Sequence, residues 1–124
     1  NIESEANENQ NGPFQITFIN ENILTVLDSN IPKNFSLKQN YPNPFNPITS
    51  INYNLPNDGL VKVTIYNMMG SIVKTLVNGF HNAGFKSVQW NATNNKNQPV
   101  SAGLYLYTIQ AGEFRQTKKM VLLK

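Results

Sequence analysis

Alternation of apolar and polar residues is the feature that most restricts what this 124-residue chain can fold into. From Thr49 onward, apolar side chains recur at every second position, which places them on one face of a β-strand and polar ones on the other. The pattern predicts strands at 51–55, 61–65, 72–77, 85–90, 104–109 and 114–123. The fifth of these is apolar on both faces at several positions, so we expect it to be central in its sheet.

Turn residues separate the predicted strands, and no amphipathic helix interrupts them. Glycine and its partners mark these turns at Pro56–Gly59, Met69-Gly70, Asn78-Gly79, Ala83-Gly84 and Ala111-Gly112. Six strands about ten residues apart predict an all-β fold, an antiparallel immunoglobulin-like β-sandwich of about seven strands. The seventh strand is expected from residues 14–28 or 35–41.

Composition divides the chain into three segments. Residues 1–13 are polar and acidic and are predicted to form a flexible linker. Residues 14–31 are predicted to be a linker or the tail of an upstream domain, with a small hairpin as an alternative, and residues 32–124 to form the sandwich. Residues 1–32 hold five acids and no Lys or Arg, whereas residues 33–124 hold ten bases and two acids. Because the bases are scattered singly, apart from Lys118-Lys119, no nucleic-acid partner is expected. Stable membrane insertion is not expected either, because the longest uninterrupted apolar run, Met120–Leu123, is far too short to span a bilayer.

Three prolines stiffen the stretch Phe35–Pro47 that leads into the first predicted strand. Proline fixes φ and removes an amide donor, so this stretch is predicted to be non-helical and extended. Four side chains are expected to press it onto a neighbouring surface, namely Phe35, Leu37, Tyr41 and Phe45.

The residues needed for catalysis are scarce. The chain has no cysteine and one histidine, His81, and Asp58 and Glu113 are the only carboxylates after residue 32. A catalytic triad needs an oriented base, acid–base chemistry needs two close carboxylates, and zinc needs three or four ligands. We therefore expect no enzyme activity, no catalytic residues, no bound metal and no cofactor.

Three aromatic residues, Trp90, Tyr105 and Tyr107, have two interpretations. In an alternating strand such residues fill the core of a sandwich, which is the expected role. If exposed, they could stack on sugar rings, and the chain would be a carbohydrate-binding or adhesive cell-surface module.

The last predicted strand ends in a basic, apolar stretch. Its residues are Lys118, Lys119, Met120, Val121, Leu122, Leu123 and Lys124. This stretch can be an ordinary strand with a soluble end. If it lies at a sheet edge, its free N–H and C=O groups could instead pair with a partner.

Several blocks of the sequence together resemble a known family, the type A C-terminal sorting domain of the type IX secretion system. The likeness runs from about Pro32 to Lys124 and is most specific in the block NYPNPFNP combined with the ending KKMVLLK. The matching positions, which the resemblance implies to be structural, are Asn40, Tyr41, Pro42, Asn43, Pro44, Phe45, Asn46, Pro47, Gly70, Gly84, Trp90, Gly103, Tyr105 and Gly112. Asn67 and Asn91 replace the family's usual aspartates, and Ala92 and Asn97 replace its usual glycines.

The resemblance implies a role in protein export in Bacteroidetes-type bacteria. Such a domain directs a passenger protein, fused upstream, from the periplasm across the outer membrane, where the secretion machinery recognises the sandwich. A sortase-like surface peptidase then usually cleaves upstream of it, leaving the passenger on the cell surface or secreted. By position, Lys118–Lys124 would be recognised. A third interpretation is a passive spacer, resembling the immunoglobulin-like domains of flagellar hook-capping proteins.

Overall fold

The computed structural model describes residues 31–124, and Pro32–Lys124 form one compact unit. The predicted acidic linker at residues 1–13 lies outside the described residues. So does the possible hairpin at residues 14–31, apart from Ile31.

The described part of the chain contains seven β-strands in two antiparallel sheets. They are β1 (Ser36–Leu37), β2 (Thr49–Leu55), β3 (Gly59–Tyr66), β4 (Ile72–His81), β5 (Gly84–Trp90), β6 (Gly103–Ala111) and β7 (Phe114–Leu122). One sheet has the order β1-β2-β5 and the other the order β4-β3-β6-β7. The predicted all-β sandwich is therefore confirmed, and β6 is central as its sequence indicates. Across residues 31–124 we find no helix long and apolar enough to cross a membrane.

The core lies between the two sheets and follows the alternation of the sequence. Inward side chains of β2, β3 and β6 are buried at alternate positions, and β7 buries Met120 and Leu122 in the same way. The fully buried apolar side chains of these strands include Ile51, Leu55, Val63, Ile65, Tyr107, Ile109 and Met120. Burying side chains of this size contributes roughly 1.5–3 kcal/mol each, so the inner faces supply the main stabilisation.

The seventh strand is β1, from the second of the two predicted sources. It pairs with β2 through Leu37 and Tyr53, and the chain touches β2 again where Tyr41 pairs with Ser50. Leu37 and Tyr41 are four residues apart, whereas their partners Tyr53 and Ser50 are three residues apart. The segment after β1 therefore has one extra residue, which forms a β-bulge between the two pairs. A bulge redirects side chains. As a result, Asn40 is buried while Tyr41 next to it is 79% exposed.

Strand β4 is longer than predicted, and the turn predicted at Asn78-Gly79 is wrong. Both residues lie inside β4, paired with Lys62 and Val61 of β3. Asn-Gly permits a turn but does not require one, and the ladder to β3 continues past it. Because β4 runs to His81, this histidine is the last residue of a strand.

Asn97 occupies the left-handed region at φ 62°, where the family resemblance predicts a glycine-like turn. Asparagine tolerates this conformation better than residues with other side chains. We expect Asn97→Gly to leave the free energy of unfolding nearly unchanged and Asn97→Ala to lower it by about 1 kcal/mol. Urea denaturation of both variants checks this, with the neighbouring exposed Lys96→Ala as control. Equal stability of the Asn97→Gly and Asn97→Ala proteins would contradict it.

Candidate functional site

The terminal strand β7 forms one edge of the four-stranded sheet, and its side chains divide between two faces. Met120 and Leu122 are 0% and 1% exposed and belong to the core. Lys118 and Val121 are half-buried, and the exposed residues are Lys119, Leu123 and Lys124. Of the seven residues predicted for recognition, these last three offer the most surface to a partner.

A short segment, Asn43–Phe45, covers the outer edge of this strand, and we call it the strap. The backbone N–H of Phe45 donates to the carbonyl of Val121 at 3.0 Å, and the N–H of Leu123 donates to the carbonyl of Phe45 at 2.8 Å. The N–H of Val121 also donates to Asn43 Oδ1 at 3.0 Å. The strap therefore uses the outward backbone groups of Val121 and Leu123. This part of the edge is closed to a partner strand, contrary to the idea of a freely pairing terminal edge.

Phe45 fixes the strap to the core. Its side chain is 1% exposed, and its ring centroid lies 5.7 Å from that of Trp90. Trp90 packs in turn edge-on against Tyr105 at 5.3 Å. Contacts between aromatic rings at these distances are favourable. Phe45 thus links the proline-rich segment to the centre of the sandwich.

A buried polar network fixes the chain just before the strap. Asn40 Nδ2 donates to the carbonyl of Pro42 at 3.2 Å and to Thr49 Oγ1 at 3.0 Å. Thr49 Oγ1 donates to the same carbonyl at 2.8 Å. Buried polar groups are stabilising only when they find partners, and these do. The network holds residues 40–42 against the start of β2.

Tyr107 connects this network to the opposite sheet. From β6 its hydroxyl reaches the chain before the strap, accepting from the N–H of Asn40 and donating to the carbonyl of Lys38, both at 2.8 Å. Burial raises the pKa of Tyr107 to about 12, although the hydrogen bond from Asn40 lowers it. The hydroxyl therefore stays protonated near neutral pH and keeps both bonds.

Gln39 adds a further contact between the proline-rich stretch Phe35–Pro47 and the terminal strand. Its Nε2 donates to the carbonyl of Lys119 at 2.8 Å. Alternation in the sequence indicates no more than packing for Gln39, Thr49 and Tyr107. Thr49 is a polar residue at an inward position of an alternating strand, and this pattern could have indicated a buried hydrogen bond.

Apolar side chains extend from the terminal strand across the outer face of the same sheet. Strand pairing places Leu104 opposite Val121 and Leu106 opposite Lys119. Next in line on that face are Tyr66, opposite Leu106, and Ile72, opposite Tyr66. Leu104 and Ile72 are 47% and 55% exposed. The exposed tail residues thus border a partly apolar surface.

The expected core role of Trp90, Tyr105 and Tyr107 is confirmed, and the alternative, a sugar-stacking platform, is contradicted. The three side chains are 0%, 6% and 0% exposed. Trp90 Nε1 donates to the carbonyl of Thr93 at 2.8 Å, and Tyr105 donates to the carbonyl of Ser101 at 2.6 Å. Their polar atoms are thus satisfied inside the fold.

The other residues of the family resemblance lie at bends and strand starts. Pro42, Asn43, Pro44, Asn46 and Pro47 are exposed around the buried Phe45. The four glycines all have positive φ, Gly70 and Gly112 in turns and Gly84 and Gly103 at strand starts.

Tyr41 does not press onto a neighbouring surface as predicted, because its pairing with Ser50 directs it outward. Asn67 accepts from the N–H groups of Met69 and Ser71 at 3.0 Å, so its amide oxygen serves this turn.

The carboxylates and the histidine of the described residues lie in turns and at strand ends. Asp58 Oδ1 accepts from the N–H of Ala83 at 2.7 Å, a contact that joins two turns. Glu113 lies in the turn between β6 and β7. Among residues 31–124, no three acidic, histidine or cysteine side chains are grouped so that they could hold a metal ion.

Two sheets with these edges define an immunoglobulin-like β-sandwich domain. Residues 48–113, just over half of the chain, match the model of the FlgD Ig-like domain family. The chain belongs to this family. A search of curated proteins gives no match.

Two solved structures from Porphyromonas gingivalis are similar to the chain. Dimeric latent PorU superimposes with a TM-score of 0.57 at 18% identity, over 74% of this chain and 10% of PorU. PorZ, described as an essential surface component of the type IX secretion system, superimposes with a TM-score of 0.49 at 17% identity, over 73% of this chain and 11% of PorZ. The chain therefore spans about a tenth of each neighbour. At such low identity, the likeness to PorU concerns the fold.

Proposed function

We propose that this domain is a sorting signal that directs a passenger protein, fused upstream, through the type IX secretion system. The passenger would leave the periplasm across the outer membrane and end on the cell surface or secreted. A sortase-like peptidase would cleave the chain upstream of the sandwich. The partners in this proposal are the outer-membrane secretion machinery and that peptidase.

One observation supports this proposal above the others. The two most specific blocks of the family resemblance are about 80 residues apart in the sequence, yet they are joined by hydrogen bonds in the fold. Phe45 of the first block bonds to Val121 and Leu123 of the second, and Asn43 accepts from Val121. Two blocks that form one surface can be recognised together. The fold shared with part of PorU is compatible with this role.

Few groups of the terminal strand are accessible to a receptor. Met120 and Leu122 are buried, and the strap occupies the backbone groups of Val121 and Leu123. Recognition would therefore use the side chains of Lys119, Leu123 and Lys124. The partner would present acidic groups to the lysines and an apolar contact to Leu123.

The test is export of a fused passenger in a bacterium that carries the type IX machinery. The 124-residue chain is attached to a periplasmic reporter, and reporter in the medium or on the cell surface is measured. We expect Lys119→Glu, Leu123→Ser and Lys124→Glu, combined, to reduce export about tenfold or more, because three contacts of one interface are lost.

A matched control lies on the same outer face at the other end of the sheet. Leu60 and Phe80 pair across β3 and β4 and are 72% and 64% exposed. Leu60→Ser with Phe80→Ser should leave export unchanged. Normal export of the triple variant, with the reporter stable and the control also exported, would reject the proposal.

A structural spacer is the second candidate, favoured by the match to the FlgD Ig-like domain family. A spacer needs a stable fold and no particular surface. It would tolerate replacement of Lys118–Lys124 by another strand that preserves the buried positions Met120 and Leu122. A stable, folded reporter fusion that the original chain fails to export would favour the spacer over the sorting signal.

A further inference from the structure

The outer face of the three-stranded sheet carries a regular set of hydroxyl and amide side chains, and we call it the amide face. Strand pairing places Ser36, Asn54 and Phe85 in one row and Asn52 beside Ser87 in the next, and Tyr41, Ser50 and Gln89 form the third. Lys38, whose N–H donates to the carbonyl of Asn52, stands next to the middle row. The alternating partners of these residues, such as Ile51, Tyr53 and Leu55, are buried on the opposite face.

Two aromatic rings stand at diagonally opposite corners of this face. Tyr41 is 79% exposed and Phe85 is 64% exposed. Exposed aromatic rings gain nothing from burial in the free protein, yet they offer large, rigid surfaces on which a ligand can stack. The bulge at Gln39 and Asn40 is what turns Tyr41 to this side of the sheet.

The charge of the amide face distinguishes it from the rest of the domain. Residues 33–124 carry ten bases, but Lys38, beside the middle row, is the one base on this face. A nucleic acid would need a cluster of basic groups, and an acidic peptide would need more than one cation. Hydroxyls and amides both donate and accept hydrogen bonds, as the hydroxyl groups of a sugar do. The chemistry therefore fits an uncharged polyhydroxylated ligand.

The distance between the rings sets the length of the ligand. Phe85 and Tyr41 lie four residues apart along the sheet and two strands apart across it. With a rise of about 3.3 Å per residue and a strand spacing of about 4.8 Å, their backbones are roughly 16 Å apart. A single sugar ring cannot stack on both, whereas a chain of several sugars can.

We propose that the amide face binds an uncharged oligosaccharide, stacked on Tyr41 and Phe85 and hydrogen-bonded to the amides and hydroxyls between them. This site is distinct from the terminal strand, which belongs to the other sheet. It is also distinct from the buried aromatic cluster, because it lies on the outer face of its sheet, whereas Trp90 is buried between the two sheets. Its failure would leave the proposed sorting role untouched.

The experiment measures binding of the 124-residue chain to three uncharged polysaccharides, a β-glucan, a xylan and a mannan, and to their oligosaccharides by calorimetry. We expect at least one of the three to bind, with little dependence on salt, and its monosaccharide not to bind. Tyr41→Ala and Phe85→Ala should each weaken binding about tenfold, because each removes one stacking surface.

Phe80→Ala is the matched control, since Phe80 is also 64% exposed but lies in β4 on the other sheet. It should bind as the original chain does. Tyr41→Trp, which keeps a stacking ring, should also retain binding, and thermal melting confirms that each variant is folded. Absence of binding to all three polysaccharides overturns the proposal, as does equal loss in Phe80→Ala. Binding only to an anionic polysaccharide that salt abolishes also overturns it.

Discussion

Replacing Phe45 with alanine is expected to lower the free energy of unfolding by about 3–5 kcal/mol, the range for truncating a buried phenylalanine. The ring is 1% exposed and packs on Trp90, so its removal leaves a cavity at the centre of the aromatic cluster. The same side chain holds the strap, whose bonds to Val121 and Leu123 should weaken with it. Denaturant unfolding followed by tryptophan fluorescence measures the loss through Trp90, the single tryptophan.

Ile48→Ala provides the control, because Ile48 lies in the same proline-rich region but is 47% exposed. It should cost less than about 1 kcal/mol, as partly exposed positions usually do. A loss below 1 kcal/mol for Phe45→Ala would contradict the placement of Phe45 in the core.

Replacing Tyr107 with phenylalanine is expected to cost about 2 kcal/mol at neutral pH. The ring remains, but the N–H of Asn40 loses its acceptor and the carbonyl of Lys38 loses a donor. Burying a polar group without a partner costs roughly 1–3 kcal/mol. Urea denaturation at pH 7 measures the difference from the original chain.

The pH dependence of stability separates the Tyr107 hydroxyl from the packing of its ring. The folded state raises the pKa of Tyr107 from 10.0 to about 12, so the neutral form is favoured by folding. This stabilisation is fully present below pH 10 and is lost as pH rises from about 10 to 12. The original chain should therefore lose stability more steeply over this window than the Tyr107→Phe protein. Burial also raises the pKa of Tyr53, which contributes to both proteins alike. Parallel curves above pH 10 would contradict the buried position of the hydroxyl.

The alternation of the sequence predicted the inner faces of the sandwich because burial on one side of a strand leaves a period of two. Ile51, Tyr53 and Leu55 are the clearest case, and all three are buried. The length of β4 could not be predicted in this way. Asn78-Gly79 satisfies a turn locally, and only pairing with β3 decides that the strand continues.

The contacts of the candidate site depend on long-range geometry that local patterns do not contain. Both the proline-rich block and the terminal block stand out in the sequence. Nothing in the sequence indicates that Asn43 and Phe45 bond to the terminal strand. The orientation of Tyr41 was missed because one bulged residue reverses which side chains face inward. Alternation places Tyr107 in the core, but the two partners of its hydroxyl come from a segment nearly 70 residues away, which no local pattern indicates.

The closed terminal edge also changes what kind of recognition can be proposed. A partner strand that paired with Val121 and Leu123 would first have to displace the strap and its buried Phe45. A partner that contacts side chains meets no such barrier. We therefore expect a receptor to recognise this domain through the side chains of Lys119, Leu123 and Lys124.

Amide hydrogen exchange at Val121 and Leu123 tests this closed edge most directly. Their N–H groups point away from β6 and bond to the strap, at Asn43 Oδ1 and the carbonyl of Phe45. We predict that both amides exchange as slowly as those of the ladder between β6 and β7, and that Asn43→Ala speeds exchange at Val121. If both exchanged as fast as amides of an unstructured chain while the ladder stayed protected, the strap would not close this edge, and recognition by side chains alone would be contradicted.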